Sequence, residues 1–208
     1  ATASTDDRGV YRLSGLSPGE YQVFVPQSQA TSDAAAADVL MQSLISGRMP
    51  EGGLASISPA GASPMDPRAI RVGDWRLLSS NVQSPAAGDG PLRAYRTVYY
   101  PAARTPSDAS WISLRSGEER DGVDFSLVPV ITGRVTGTLT VPSGVAGGIA
   151  VRLGAADERR PGDPPQLDVA TGQTQADGKF TLLAVPPGQY RIIARRDPPR
   201  DLPADLPE

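Results

Sequence analysis

Asp6, Asp7 and Asp177 stand where the chain turns, and Glu118, Glu119, Asp121 and Asp124 gather around one short segment. Carboxylates in either pattern could do chemistry. Several oxygens converging on one point would hold calcium. Two carboxylates facing each other across a cleft would act as acid and base on a glycoside. The spacing satisfies neither. Asp6 and Asp7 correspond to Gln175 and Ala176 in a second copy of the same phrase, so the copies share no ligand set. Aspartate also favours turns because its side chain bonds nearby amides. Asp124 alternates outward from Val123, Phe125 and Leu127, and nothing sets two of the four acids across a cleft, so this cluster reads as a solvated turn. We expect no metal site and no cofactor.

The nucleophiles fare no better. The chain has no His and no Cys. That removes the commonest general base, the commonest transition-metal ligand and any thiolate or disulfide. Serines are plentiful, but no Gly-x-Ser-x-Gly elbow occurs, and a Ser nucleophile would lack its His. The glycines at 144, 147 and 148 lack the Lys and the spacing of a phosphate loop and read as a turn. We expect no catalytic residue and no enzyme activity.

Aromatic side chains are the remaining candidates. Flat rings can stack on sugars, and Trp75, Tyr95, Tyr99, Tyr100 and Trp111 are concentrated in the middle of the chain. Trp111 is out of phase with Ile112 at the start of a strand pattern, which favours exposure. Trp111, Tyr99 and Tyr100 are therefore the candidate carbohydrate-binding residues. The competing reading is that these rings fill the seam between sheet and insert, since aromatics dominate cores as readily as interfaces.

The elements that would hold these groups are β-rich. Residues 5–21 and 174–190 spell nearly the same phrase without a gap, with Thr, Gly, Leu, Pro, Gly and Tyr at matching places. A duplication of this kind implies two copies of one unit. In the first copy, residues 10–13 and 21–25 read as the strands of a hairpin. In the second, residues around Phe180 and Leu182 pair with those around Tyr190 and Ile192. Gly9 and Gly178 close the Asp-rich turns, where positive φ is needed. Pro18-Gly19 and Pro187-Gly188 make the next bends. Tyr21 and Tyr190 each follow such a bend and enter a strand, so their hydroxyls are expected to bond backbone near the turn.

Further strands are expected at 70–78, 95–100, 111–114, 123–128, 131–141, 149–153 and 167–170. One helix is expected over 33–46, capped by Asp33 and ended by Gly47, with Ala37, Leu40, Met41 and Leu44 on one face. Residues 48–67 are rich in Gly, Ser, Ala and Pro and read as mobile. The expected fold is all-β: two Greek-key β-sandwich repeats with a partly helical, loop-rich insert over 27–94. The first unit spans 1–128 and lacks its opening strands; the second spans 129–208 and lacks its closing ones.

The composition agrees. With 208 residues the chain suits two small domains, and a net charge of −3 provides no basic field for nucleic acid. No apolar run is long enough to cross a bilayer. The chain opens at Ala1 without Met and reads as a piece of a longer protein.

The phrase Asp-Asp-Arg-Gly-Val-Tyr-Arg-Leu-x-Gly-Leu-x-Pro-Gly-x-Tyr, from Asp6 to Tyr21, resembles carboxypeptidase regulatory-like domains. Asp177-Gly-Lys-Phe-x-Leu-x-x-Val-Pro-Pro-Gly-x-Tyr190 matches the same pattern. These domains are prealbumin-like sandwiches, similar to collagen-adhesin B repeats and to carbohydrate-binding folds. The resemblance covers 1–26 and roughly 95–196, and excludes the insert. It implies a non-catalytic spacer or adhesive module of a larger bacterial envelope or secreted protein, hence an extracytoplasmic location. The partners implied are other domains of the same polypeptide, a polysaccharide or another protein. The zinc of the namesake peptidase needs His ligands that this chain lacks. The Lys–Asn cross-link of some adhesin repeats is not expected either, because Lys179 and Asn81 are the single Lys and Asn, and Lys179 flanks a turn.

Overall fold

The computed structural model describes residues 1–47, 66–85, 90–142, 144–156 and 167–195. In chain order the elements are β1 (Gly19–Tyr21), β2 (Phe24–Val25), β3 (Gln29–Asp33), α1 (Ala34–Ile45), β4 (Ile70–Val72), β5 (Trp75–Ser79), β6 (Arg93–Ala94), β7 (Val98–Tyr99), β8 (Ile112–Leu114), β9 (Val130–Ile131), β10 (Gly133–Thr138), β11 (Ala150–Ala155), β12 (Asp168–Gln173), β13 (Lys179–Val185) and β14 (Tyr190–Arg195). Among the described residues the fold is all-β apart from α1 and one 3-10 turn over Pro106–Asp108. Most of the 48–67 segment and the end of the chain after 195 lie outside the described residues.

The chain forms two compact units, residues 1–25 with 98–126 and residues 26–97 with 127–208. This differs from the division expected at 128/129. The insert strands β3, β4 and β5 belong to one sheet with β11, β12 and β14.

In the first unit β1 pairs with β8 and β2 with β7, both antiparallel. Residues 10–13 are not a ladder strand, contrary to the expected hairpin. They keep the predicted alternation all the same, with Tyr11 and Leu13 half-buried and Val10 and Arg12 exposed. Residues 123–128 alternate in the same way without forming a ladder. Side chains join the two segments instead. The Tyr11 hydroxyl donates to the Val123 carbonyl at 2.5 Å, and its ring lies 6.3 Å from that of Phe125.

The second unit carries a six-stranded sheet in the order β14-β11-β12-β3-β5-β4. The β12–β3 pair is parallel, and the other neighbours are antiparallel. The run expected as one strand at 70–78 is a hairpin, β4–β5, because Gly73 takes φ +59 at a two-residue turn. The α1 helix starts as its sequence predicts, with the Ala36 amide donating to Asp33 Oδ1 at 3.1 Å. Ala34 and Ala37 are buried, whereas Met41 of the expected apolar face is exposed. The side chains of Leu40 and Leu44 lie outside the described residues.

Consecutive strands β13 and β14 do not pair with each other. β13 pairs with β10, and β14 with β11. The expected second hairpin is thus an arch. β13 packs across β12 and β3. Its Leu182 and Val185 join Val151, Leu153 and Ala170 in one cluster, with Val135, Phe180 and Tyr190 against it. Leu183 and Ala184 join Leu77 and Ala94 in another, with Ile70, Val72 and Trp75 against it. Both faces of β13 are therefore covered.

A bulge makes this possible. Gly133 pairs with Val185 and Val135 with Leu182, which leaves Arg134 opposite two residues, Leu183 and Ala184. Ala184 takes φ +54. The Leu183 amide donates to Thr31 Oγ1 at 2.9 Å, and Thr31 is 1% exposed. This bond ties β13 to the insert.

Candidate functional site

The three aromatic candidates sit close in the first unit but differ in availability. Tyr99 is 6% exposed, and its ring stacks on Phe24 at 5.1 Å with a 28° interplanar angle. Both faces of a sugar-binding ring cannot be spent inside a core, so Tyr99 is a packing residue and is withdrawn as a binding candidate. Tyr100 is half-buried, edge-on to Phe125 at 6.2 Å, and its hydroxyl donates to the Gly122 carbonyl at 3.3 Å. Trp111 is 55% exposed at the threshold of β8, while Ile112 beside it is buried. The Ser110 amide donates to the Tyr100 carbonyl at 2.9 Å, which brings Trp111 to the loop that follows β7. Of the three rings, Trp111 is open to solvent and Tyr100 is partly covered. Sequence patterning could flag Trp111 by its phase but could not foresee the partner of Tyr99, which lies far away in the chain.

The acidic turns are built for their own amides. Asp6 Oδ1 accepts from the amides of Arg8 at 3.0 Å and Val10 at 2.8 Å. Asp177 Oδ1 accepts from the Lys179 amide at 3.0 Å, and its other oxygen lies 2.6 Å from Lys179 Nζ. That contact lowers the Asp177 carboxyl below its usual range and raises the Lys179 ammonium. Glu118 accepts from the Arg115 amide at 2.8 Å, and Glu119 from Arg12 at 2.7 Å. Among the described residues no three acidic side chains form a cation cage.

The structural residues behave as a matched pair. The amide of Asp6 donates to the Val10 carbonyl at 2.9 Å, and that of Gly9 to the Asp6 carbonyl at 3.1 Å. At the corresponding positions Gln175 donates to Lys179 at 2.7 Å and Gly178 to Gln175 at 2.9 Å. Gly9 and Gly178 take φ +82 and +80, and Gly15 and Ala184, also counterparts, take φ +70 and +54. The Tyr21 hydroxyl donates to the Ser17 carbonyl and the Tyr190 hydroxyl to the Pro186 carbonyl, four residues back in each case. Only the second bend needs the missing side chain: a Cβ at Gly19 would stand in ordinary contact with the Tyr21 ring, 3.8 Å away. A Cβ at Gly188 would lie 2.8 Å from the Tyr190 hydroxyl.

No family model, curated protein or solved structure matches the chain. Its geometry therefore carries the functional reading.

One charged group does stand out electrostatically. The Arg68 guanidinium donates to both Asp66 oxygens, at 3.0 and 2.7 Å, and the Arg68 amide adds a third bond at 2.9 Å. These bonds hold the Asp66 carboxyl at about 2, against an ordinary 3.8. Any stability from this pair is complete above the ordinary value and is lost as pH falls through about 2. A carboxyl-carbon NMR titration is expected to place its midpoint near the lower value, and Arg68→Ala to raise it toward the ordinary one, with the backbone amide bond still holding it somewhat below. A midpoint already ordinary in the parent protein would contradict the pairing. The charge pair is a clamp that closes its own turn.

Proposed function

We propose that this chain is a non-catalytic contact module of a larger extracytoplasmic polypeptide, built from two copies of a carboxypeptidase regulatory-like sandwich repeat. Its work is to space, display or join other domains. The observation that supports this reading most directly is the reuse of one hydrogen-bonded frame at two places. Asp6–Val10 and Gln175–Lys179 close the same turn, and Tyr21 and Tyr190 anchor the same bend. What the two phrases share is backbone scaffolding, and what they vary is the polar chemistry, as when Asp6 gives way to Gln175. Among the described residues no helix is long and apolar enough to cross a membrane.

The exposed Trp111 favours a second reading, a carbohydrate-binding module. Intrinsic fluorescence separates the two. For a spacer, Trp emission stays unchanged across a broad panel of soluble polysaccharides. A saturable shift that disappears in Trp111→Ala would replace the spacer with a glycan-binding surface. Trp75 packs against a buried cluster in the other unit and serves as the internal reference.

A further inference from the structure

β14 is an edge strand of the six-stranded sheet. Its neighbour on one side is β11 over six residue pairs, from Tyr190 opposite Ala155 to Arg195 opposite Ala150. Among the described residues no strand pairs with its other side. Ile192 and Ile193 point to opposite faces and are 52% and 51% exposed. An open edge flanked by bulky apolar side chains is the kind of surface that natural sheets cover or guard. Arg191 and Arg195 on this strand are charged and exposed, which discourages indiscriminate pairing.

The first unit indicates what belongs there. In an antiparallel strand the amide and carbonyl of one residue face the same neighbour, and successive residues alternate. The Gln189 carbonyl accepts from the Ala156 amide at 3.0 Å and so faces the β11 side. Residues 191, 193 and 195 follow it, and Ile192 and Ala194 turn their backbone groups to the open edge. The counterparts of Ile192 and Ala194 in the first phrase are Val23 and Val25. The Val23 carbonyl accepts from the Tyr100 amide at 2.9 Å, and Val25 pairs with Val98. The edge left open in β14 is thus the edge that the equivalent residues use to hold Val98–Tyr99.

We propose that the outer edge of β14 is an acceptor for an added antiparallel strand of the Val98–Tyr100 type, β-branched and aromatic, joined by backbone bonds at Ile192 and Ala194. Strand addition supplies affinity through the main chain and selectivity through alternate side chains. Here Ile193 takes the place of Phe24, the residue on which Tyr99 stacks in the first unit. The proposal rests on the reading of the chain as a contact module and names the contact.

The test uses the whole chain and a synthetic peptide of residues 95–101. Hydrogen exchange is followed at the Ile192 and Ala194 amides. At near-saturating peptide both slow by about tenfold or more, while amides of β4, at the opposite edge of the sheet, do not change. A peptide carrying Val98→Pro lacks the donor and gives no protection. Ile192→Lys, on an exposed position, keeps the circular-dichroism spectrum and weakens the effect. The proposal is overturned if peptide leaves both amides unchanged in a monomeric protein. It is equally overturned if they are already protected in the free monomer, which means that the chain covers its own edge. Protection that instead rises with protein concentration, alongside a dimer in sedimentation, assigns the edge to a second copy and overturns the stated occupant. A glycan response at Trp111 would displace the spacer reading without touching this result, so the two can fail separately.

Discussion

Leu182→Ala lowers the stability of the second unit by about 3–5 kcal/mol. Leu182 is fully buried between β13 and the sheet, against Val151, Leu153 and Ala170. The site has little freedom to collapse around the missing atoms. β13 is held by the β10 ladder on one side and by the Thr31–Leu183 bond beside it. A cavity that cannot close costs more than the transfer of the lost carbons alone. The counterpart in the first phrase is Leu13, which is only half-buried in a segment with no ladder. Leu13→Ala therefore costs about 1 kcal/mol, typical of a partly exposed site. Urea unfolding measures both. In a Trp111→Phe background Trp75 reports the second unit and Leu182→Ala, in a Trp75→Phe background Trp111 reports the first unit and Leu13→Ala, and each midpoint falls with the slope unchanged. Equal losses for Leu13 and Leu182 would show that β13 is not the central strand it is taken to be.

Gly178→Ala is the second large effect, about 2–4 kcal/mol. Two costs combine at this position. The residue sits at φ +80, where an L side chain is strained. A Cβ there would also run into the Leu139 carbonyl oxygen and lie 3.1 Å from the Ala146 side chain. The Gly178 carbonyl accepts from the Leu139 amide at 2.8 Å, so the backbone cannot retreat without breaking the end of the β10–β13 pair. Gly9 has nearly the same φ and the same turn bonds, yet a methyl group added there would meet nothing within 4 Å. Gly9→Ala therefore carries the conformational cost alone, about 1 kcal/mol. The difference between the two substitutions isolates the collision. If thermal unfolding finds them equal, the close approach of Leu139 is not present in solution.

Much of the local structure was legible in the residues. The turns at Gly9 and Gly178, the Pro-Gly bends, the tyrosines that follow them and the Asp33 cap all depend on neighbours within a few positions, and the alternation at 10–13 and 123–128 placed side chains on the correct faces. Pairing was not legible. Residues 10–13 have the pattern of a strand but no ladder partner among the described residues, whereas their counterparts in β13 have β10. Period-two alternation says which side chains share a face; it carries no information on which backbone will lie alongside. For the same reason the expected second hairpin became an arch, and the 70–78 run split when Gly73 turned.

The candidate site divides along the same line. Phase against Ile112 marked Trp111 as an outward ring, a property of its own strand. Burial of Tyr99 depends on Phe24, and the tie between Thr31 and the β13 bulge joins residues more than a hundred positions apart. Turn chemistry is written in consecutive residues because steric and hydrogen-bonding preferences act over one or two peptide units. Strand order, and with it the open side of β14, arose from long-range competition among many similar apolar edges, which only the folded chain resolves.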